Sequence, residues 1–206
     1  MTVLAVGAVA VYGMLAFGVR MAVQLHRTGS SGLVALRDLS GPLQWTGAIL
    51  FAAAIVLCLA GPVLALTNAL TPIDALHGPV ADALGILLAG IGILTTVIAQ
   101  FAMGDAWRIG VDSAERTDLV TDGPFAVVRN PIYAAMIPSF AGIALLVPNV
   151  VAIAGAILLF AALELHTRLI EEPYLSHVHG ERYRVYAARV GRFLPRIGQL
   201  PPDRRR

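Results

Sequence analysis

Long apolar stretches dominate the chain and predict its architecture. Three of them lie before residue 104, and each is close to the roughly 20 apolar residues that cross a bilayer as a helix: Val3–Leu25, Leu43–Leu66 and Val80–Met103. A fourth stretch, Ile132–Leu165, is too long for one span and is interrupted by Pro148 and Asn149, which suit a tight reversal. We therefore expect a helical hairpin of Ile132–Val147 and Val150–Leu165, and about five spans in all.

Composition supports a membrane protein. Of the 206 residues, 57% are hydrophobic and only 14% are charged, whereas a soluble domain carries about 25% charge. This excludes a disordered chain, a secreted disulfide scaffold and a soluble two-domain enzyme. The single cysteine, Cys58, permits no internal disulfide and no cysteine-based zinc site, and we expect no metal. The predicted fold class is an all-α integral membrane bundle with a cytoplasmic C-terminal region of helices and loops.

The distribution of basic residues predicts the orientation of the bundle. All fifteen are arginines, although the net charge is only +2. They fall in the first loop with the end of the first span, between the third and fourth spans, and after the fifth span. With five spans, these segments share one side, and the positive-inside rule makes that side cytoplasmic. We expect the N-terminus outside and the C-terminus inside, in a bacterial inner membrane, and no nucleic-acid partner.

One polar segment, Gly104–Pro131, leads into the fourth span. Asn130 suits the cap position of that helix and Pro131 suits its first turn. The free N–H groups of a helix start can bind an anionic group such as a carboxylate. Tyr133 is expected within one turn of that position.

A second polar segment follows the fifth span. By helical spacing, Glu164, Arg168, Glu171 and Glu172 are expected on one face. They could pair with one another, or they could bind a zwitterion or a cation where the membrane ends.

Small residues crowd the third span at Gly85, Ala89, Gly90 and Gly92. They suit close packing of helices in lipid. The alternative is that Gly90 and Gly92 leave room for a ligand.

Two motifs occur at the cytoplasmic ends of the last spans. Residues 117–133 read TDLVTDGPFAVVRNPIY, and residues 171–195 read EEPYLSHVHGERYRVYAARVGRFLP. They resemble the LVTxGPYxxxRHPxY and EExxLxxxFGxxYxxYxxxVxRxxP patterns of the isoprenylcysteine carboxyl methyltransferase and phospholipid methyltransferase family. Asn130, Ala135 and His179 stand where that family has His, Gly and Phe, so the substrate is not carried over.

We expect a single membrane domain, 1–206, in which 1–103 holds the three spans predicted from hydropathy. By resemblance, 104–206 is a cofactor-binding region that ends in an amphipathic tail. The family uses S-adenosylmethionine. By resemblance, Arg168 and Glu172 have catalytic roles, with Arg168 directed at the substrate. The implied cofactor-binding residues are Gly90, Gly92, Asp112, Leu119, Val120, Phe125, Arg129, Asn130, Tyr133 and Glu171.

The expected function is therefore methyl transfer from S-adenosylmethionine to a lipophilic acceptor, either a carboxylate or an amine, at the cytoplasmic face of the membrane. The acceptor is expected to be a lipid, a lipidated molecule or another lipophilic compound, with membrane lipids as neighbours. The sequence predicts no oligomeric state. Two alternatives remain open at this point: an NADPH-dependent membrane reductase related to sterol reductases, and a non-catalytic membrane protein.

Overall fold

The protein is built from helices. The computed structural model describes residues 1–33, 41–110 and 118–201. In these ranges the main helices are α1 (Thr2–Thr28), α2 (Pro42–Leu66), α3 (Pro79–Ala102), α4 (Pro131–Leu146), α5 (Val150–His179) and α6 (Glu181–Arg189). Shorter helical turns are Asp74–Leu76, Gly104–Ala106 and Pro124–Val127. The described residues form isolated β-bridges but no strand.

Four helices, α1, α2, α3 and α5, are long and apolar enough to cross a membrane. The fifth, α4, has only 16 residues, which rise about 24 Å against a hydrocarbon core of about 30 Å. Most of its side chains are buried, because α4 lies inside the bundle and packs on protein rather than on lipid. The protein is thus an integral membrane helical bundle, and the predicted all-α architecture is confirmed.

The predicted hairpin between α4 and α5 is also confirmed, and Asn149 fixes it. The Asn149 Oδ1 atom accepts hydrogen bonds from the backbone N–H groups of Val151 (3.1 Å) and Ala152 (2.9 Å), which caps α5. Its Nδ2 donates to the Gly61 carbonyl of α2 at 3.0 Å. One buried side chain therefore starts α5 and ties it to α2.

Small residues let α3 and α4 approach closely. A Cβ atom at Gly142 would lie 2.5 Å from the backbone nitrogen of Ala89, and one at Gly92 would lie 2.7 Å from that of Ser139. Gly90, in contrast, is exposed, and a Cβ there would meet nothing within 4 Å. The small-residue stripe of α3 is therefore a helix-packing surface, and Gly90 lies outside it.

The segment after α5 folds back over the start of α4. The backbone N–H groups of Arg129 and Asn130 donate to the carbonyls of Gly191 (2.7 Å) and Arg192 (3.0 Å). The Tyr186 hydroxyl donates to the Phe125 carbonyl at 2.6 Å. Burial raises the pKa of Tyr186 to about 12, so this phenol remains a donor at neutral pH. These bonds fix the backbone that leads into α4.

Candidate active site

A cavity of about 480 Å³ lies where the helices meet this polar segment, within the range of about 300–1,000 Å³ that is usual for small-molecule sites. The apolar part of its lining, called the apolar wall below, has side chains from α1, α2, α4 and α5, among them Phe17, Phe51, Met136 and Leu163. The polar part, called the polar wall, includes Arg108, Arg129, Asn130, Tyr133, His166, Glu171 and Tyr174. The cavity thus joins an apolar compartment to a set of charged and hydrogen-bonding groups.

A turn of π-helix, Thr167–Glu171, interrupts α5 beside the cavity. Within it the N–H of Glu172 donates to the carbonyl of Thr167, five residues earlier. Residues five apart are stacked in a π turn, whereas a regular α-helix would turn them to different sides. Because of this turn, His166 and Glu171 both line the cavity. The expectation that Glu164, Arg168, Glu171 and Glu172 share one face therefore fails at Glu171.

The two adjacent glutamates have separate surroundings. Glu172 is buried and receives hydrogen bonds from two guanidinium groups: Arg129 Nη2 donates to its Oε1 at 2.5 Å, and Arg192 Nε and Nη2 donate to Oε1 (2.8 Å) and Oε2 (2.9 Å). Glu171 lines the cavity, and its Oε2 atom is buried with no hydrogen-bond partner among the described residues. A buried acceptor without a donor is costly, so Glu171 is suited to bind a cationic or hydrogen-bonding ligand.

Arg129 and Arg192 connect this site to the C-terminal segment. Arg129 also donates to the carbonyls of Ala187 (3.1 Å), Val190 and Gly198 (2.9 Å). Arg192 Nη1 donates to Glu164 Oε1 at 3.0 Å. Hydrogen bonding to Glu172 raises the pKa of Arg192. The cluster therefore joins α5 to the segment after α6.

The start of α4 borders the cavity through Asn130, Pro131, Ile132 and Tyr133. Asn130 occupies the cap position as predicted, but its side chain makes no capping hydrogen bond. The first N–H groups of a helix have no carbonyl partner within the helix. Those of Ile132 and Tyr133 can therefore serve an anionic ligand group.

Five of the predicted cofactor-binding residues line this one cavity: Phe125, Arg129, Asn130, Tyr133 and Glu171. They come from two segments about 40 residues apart in the chain, and the fold brings both to the same place.

The other predicted site residues lie elsewhere. Leu119 packs on Tyr183 and Tyr186 and lines a shallow groove beside α6. Neither Leu119 nor Val120 lines the cavity. Arg168 is 58% exposed and pairs with Glu164, and Glu172 is held by the two arginines. Gly92 packs on α4, and Gly90 faces away from it. Asp112 lies outside the described residues.

Sequence reasoning did not select several residues of the cavity lining, nor Arg192 beside it. Arg108 and Tyr174 line it, with Arg108 Nη2 at 3.4 Å from the Tyr174 hydroxyl. His166 lines it from α5, with its ring centroid 6.4 Å from that of Tyr133. Arg192 stands in the second motif, but its partner Glu172 is twenty positions earlier. No short-range pattern links the members of these pairs.

Comparison with known proteins decides the family. Residues 80–182, half of the chain, match the family model described as phospholipid methyltransferase. The chain belongs to this family. No curated protein and no solved structure matches it.

Family membership makes the protein an S-adenosylmethionine-dependent membrane methyltransferase. The resemblance found in the sequence is confirmed, and the reductase and non-catalytic alternatives are set aside. The cavity residues fit the cofactor. Glu171 offers a carboxylate to a cationic group, the first turn of α4 offers N–H donors to a carboxylate, and Phe125 and Tyr133 offer aromatic surface.

Proposed function

We propose that the protein transfers a methyl group from S-adenosylmethionine, bound in the cavity, to a lipophilic acceptor at the cytoplasmic membrane face. The observation that carries this proposal is the contrast between the two walls of the cavity. Glu171 and the start of α4 form a polar wall, while Phe17, Phe51 and Met136 form an apolar one. A polar donor and a lipophilic acceptor can therefore occupy one site together.

When bound, S-adenosylmethionine supplies a methyl group carried by a positively charged sulfur. The protein's part is mainly positioning, since holding two reactants in line removes much of the entropic barrier. We assign Glu171 to a cationic part of the cofactor and the N–H groups of Ile132 and Tyr133 to its carboxylate. Phe125 lies against the cofactor, and Tyr186 fixes the Phe125 backbone.

The acceptor side lies along the apolar wall. We expect the hydrocarbon tail of the acceptor to pack against Phe17, Phe51 and Leu163. These side chains offer the tail apolar contacts similar to those of the bilayer. A carboxylate acceptor is already ionised at neutral pH and needs no base, whereas an amine must first lose a proton. We assign the orientation of an anionic acceptor group to Arg108, which lines the cavity, rather than to Arg168, which does not.

Substitution of the cavity glutamate tests the cofactor site. Glu171→Gln keeps the shape of the side chain but removes its charge, so the affinity for S-adenosylhomocysteine should fall at least tenfold. Isothermal titration calorimetry of detergent-purified protein measures this. Glu181→Gln is the control, because Glu181 is exposed and pairs with Arg184. Equal affinities of the two variants would refute the role of Glu171.

The acceptor is identified by label transfer. Membrane extracts are incubated with purified protein and S-adenosylmethionine carrying a radioactive methyl group, and the labelled product is separated by polarity. We expect the label in an organic-extractable product, with Glu171→Gln losing most of it. Label found only in water-soluble products would contradict a lipophilic acceptor.

A further inference from the structure

Arg192 lies ten positions beyond the segment that matches the family model, yet it forms ion pairs with two glutamates of α5, Glu164 and Glu172. Its side chain is only 9% exposed. It donates hydrogen bonds to both carboxylate oxygens of Glu172, at 2.8 and 2.9 Å, and to one oxygen of Glu164, at 3.0 Å. The fork geometry of guanidinium suits two-point binding of a carboxylate, which a lysine cannot reproduce.

The contact between Arg192 and Glu172 matters because two adjacent carboxylates, here Glu171 and Glu172, repel each other when both are ionised. With both oxygens of Glu172 bound by Arg192, and Oε1 also by Arg129, the Glu172 side chain is turned away from the cavity and its charge is balanced. The same anchoring holds the end of the π turn, since Glu172 directly follows Thr167–Glu171. Glu171 is left as the carboxylate that faces the ligand.

We propose that Arg192 is a positioning residue of the cofactor site: by binding Glu172 it balances the neighbouring charge and leaves Glu171 directed into the cavity. This inference rests on the proposed cofactor site, in which Glu171 binds the ligand. Arg192 itself does not line the cavity, so it acts through Glu172. The turn that carries Arg192 is closed by its own N–H, which donates to the Ile197 carbonyl at 2.7 Å.

The competing explanation is that Arg192 only stabilises the fold. The two explanations differ in what a second substitution does. If Arg192 serves to balance Glu172, then removing the charge of Glu172 makes Arg192 less necessary for ligand binding. If Arg192 only holds the C-terminal segment in place, Glu172→Gln removes a further ionic contact and gives no rescue.

The test compares variants by calorimetric affinity for S-adenosylhomocysteine and by thermal unfolding. We expect Arg192→Gln to weaken binding at least tenfold and Arg192→Lys three- to tenfold. The control Arg184→Gln removes the ion pair of Arg184 with the exposed Glu181 and should weaken binding less than twofold. Glu172→Gln alone should bind more tightly than Arg192→Gln, and the double variant Arg192→Gln with Glu172→Gln should bind within threefold of Glu172→Gln.

Unchanged affinity in Arg192→Gln, or a double variant as weak as Arg192→Gln, would overturn the proposal. If Arg192→Gln does not fold, Arg192→Lys decides, with and without Glu172→Gln, by the same criteria. Failure of the proposed function is distinguishable, because then wild-type protein would not bind S-adenosylhomocysteine or Glu171→Gln would bind it normally. If Glu171→Gln weakens binding and the Arg192 variants do not, only this inference fails.

Discussion

Glu171 and Glu172 have identical side chains, and their neighbours decide what each can do. Glu172 is buried with two guanidinium groups that satisfy its charge, and removing one member of such a cluster leaves an uncompensated charge. Glu171 lines the cavity, and one of its oxygens is buried with no hydrogen-bond donor in the described part of the chain. Glu172 therefore has a structural role, and Glu171 is available to a ligand.

A prediction at the scale of a single residue concerns His166 as the acceptor of a proton. His166 lines the cavity, and an imidazole can accept the proton that an amine must lose before methylation. With vesicles containing phosphatidylethanolamine, His166→Gln should lower the rate of methyl transfer about 100-fold, within the usual effect of a general base. Radiolabel incorporation measures the rate, and the affinity for S-adenosylhomocysteine should stay within twofold.

His177→Gln is the matched control, because His177 is an exposed histidine of the same helix, α5. Equal rates for the two variants would show that His166 takes no proton. Transfer by wild-type protein to a fatty-acid carboxylate alone would show that no base is needed.

At the scale of the element, hydrophobic length predicted the starts of the helices to within one residue, but α5 continues to His179 rather than ending at Leu165. The bounds of α2 and α3 differ by one residue from those predicted, since proline at the first helical position starts both. The π turn of α5 could not be predicted from helical spacing, because it departs from the 3.6-residue repeat. For the same reason the sequence did not show that Glu171 and Glu172 diverge.

Contacts between distant segments were also out of reach of the sequence. The motif predicted that Leu119 and Glu171 share a site, but Leu119 packs on Tyr183 and Tyr186 instead. Phe125, Asn130 and Tyr133 line the cavity because α4 begins beside it, at Pro131. Local patterns can indicate which segment approaches a site, whereas the direction of each side chain depends on the tertiary structure.

Two glycines of α3, Gly90 and Gly92, give a paired prediction. Gly92→Ala places a methyl group 2.7 Å from the Ser139 backbone nitrogen, whereas at Gly90 the methyl group meets nothing within 4 Å. Gly92→Ala should destabilise the protein by about 1–3 kcal/mol through overpacking. Gly90→Ala should not destabilise it and should raise its stability by up to about 1 kcal/mol, because Ala is the better helix former.

Thermal unfolding in detergent measures both glycine variants. A ligand-binding role of the two glycines would instead appear as weaker affinity for S-adenosylhomocysteine in Gly90→Ala with unchanged stability. That result would restore the alternative that this part of α3 makes room for a ligand.

At the scale of the whole molecule, the cavity is lined by residues from both halves of the chain. The N-terminal spans contribute Phe17, Gly47 and Phe51 to the apolar wall, although their sequence shows only hydropathy. The polar wall comes from the later helices and their connections. A fragment without α1 and α2 would therefore retain the motifs but lose the part of the apolar wall that Phe17 and Phe51 form.

The arginine distribution predicts the orientation in the membrane, which single-cysteine labelling can test. Cys58 is the lone cysteine and is buried, so Cys58→Ala gives a background for Ala69→Cys, between α2 and α3, and Glu181→Cys, at the start of α6. In intact cells a membrane-impermeant maleimide should label the first and not the second. The reverse pattern would place the predicted donor site on the outer face.

The π turn in α5 also affects how relatives are aligned. It holds one residue more than a regular helical turn of the same height, so a relative with an uninterrupted helix would need a one-residue gap between Arg168 and the paired glutamates. An ungapped alignment would equate Arg168 with a position that points in another direction. Transfer of residue roles across this stretch therefore requires helix geometry as well as matching letters.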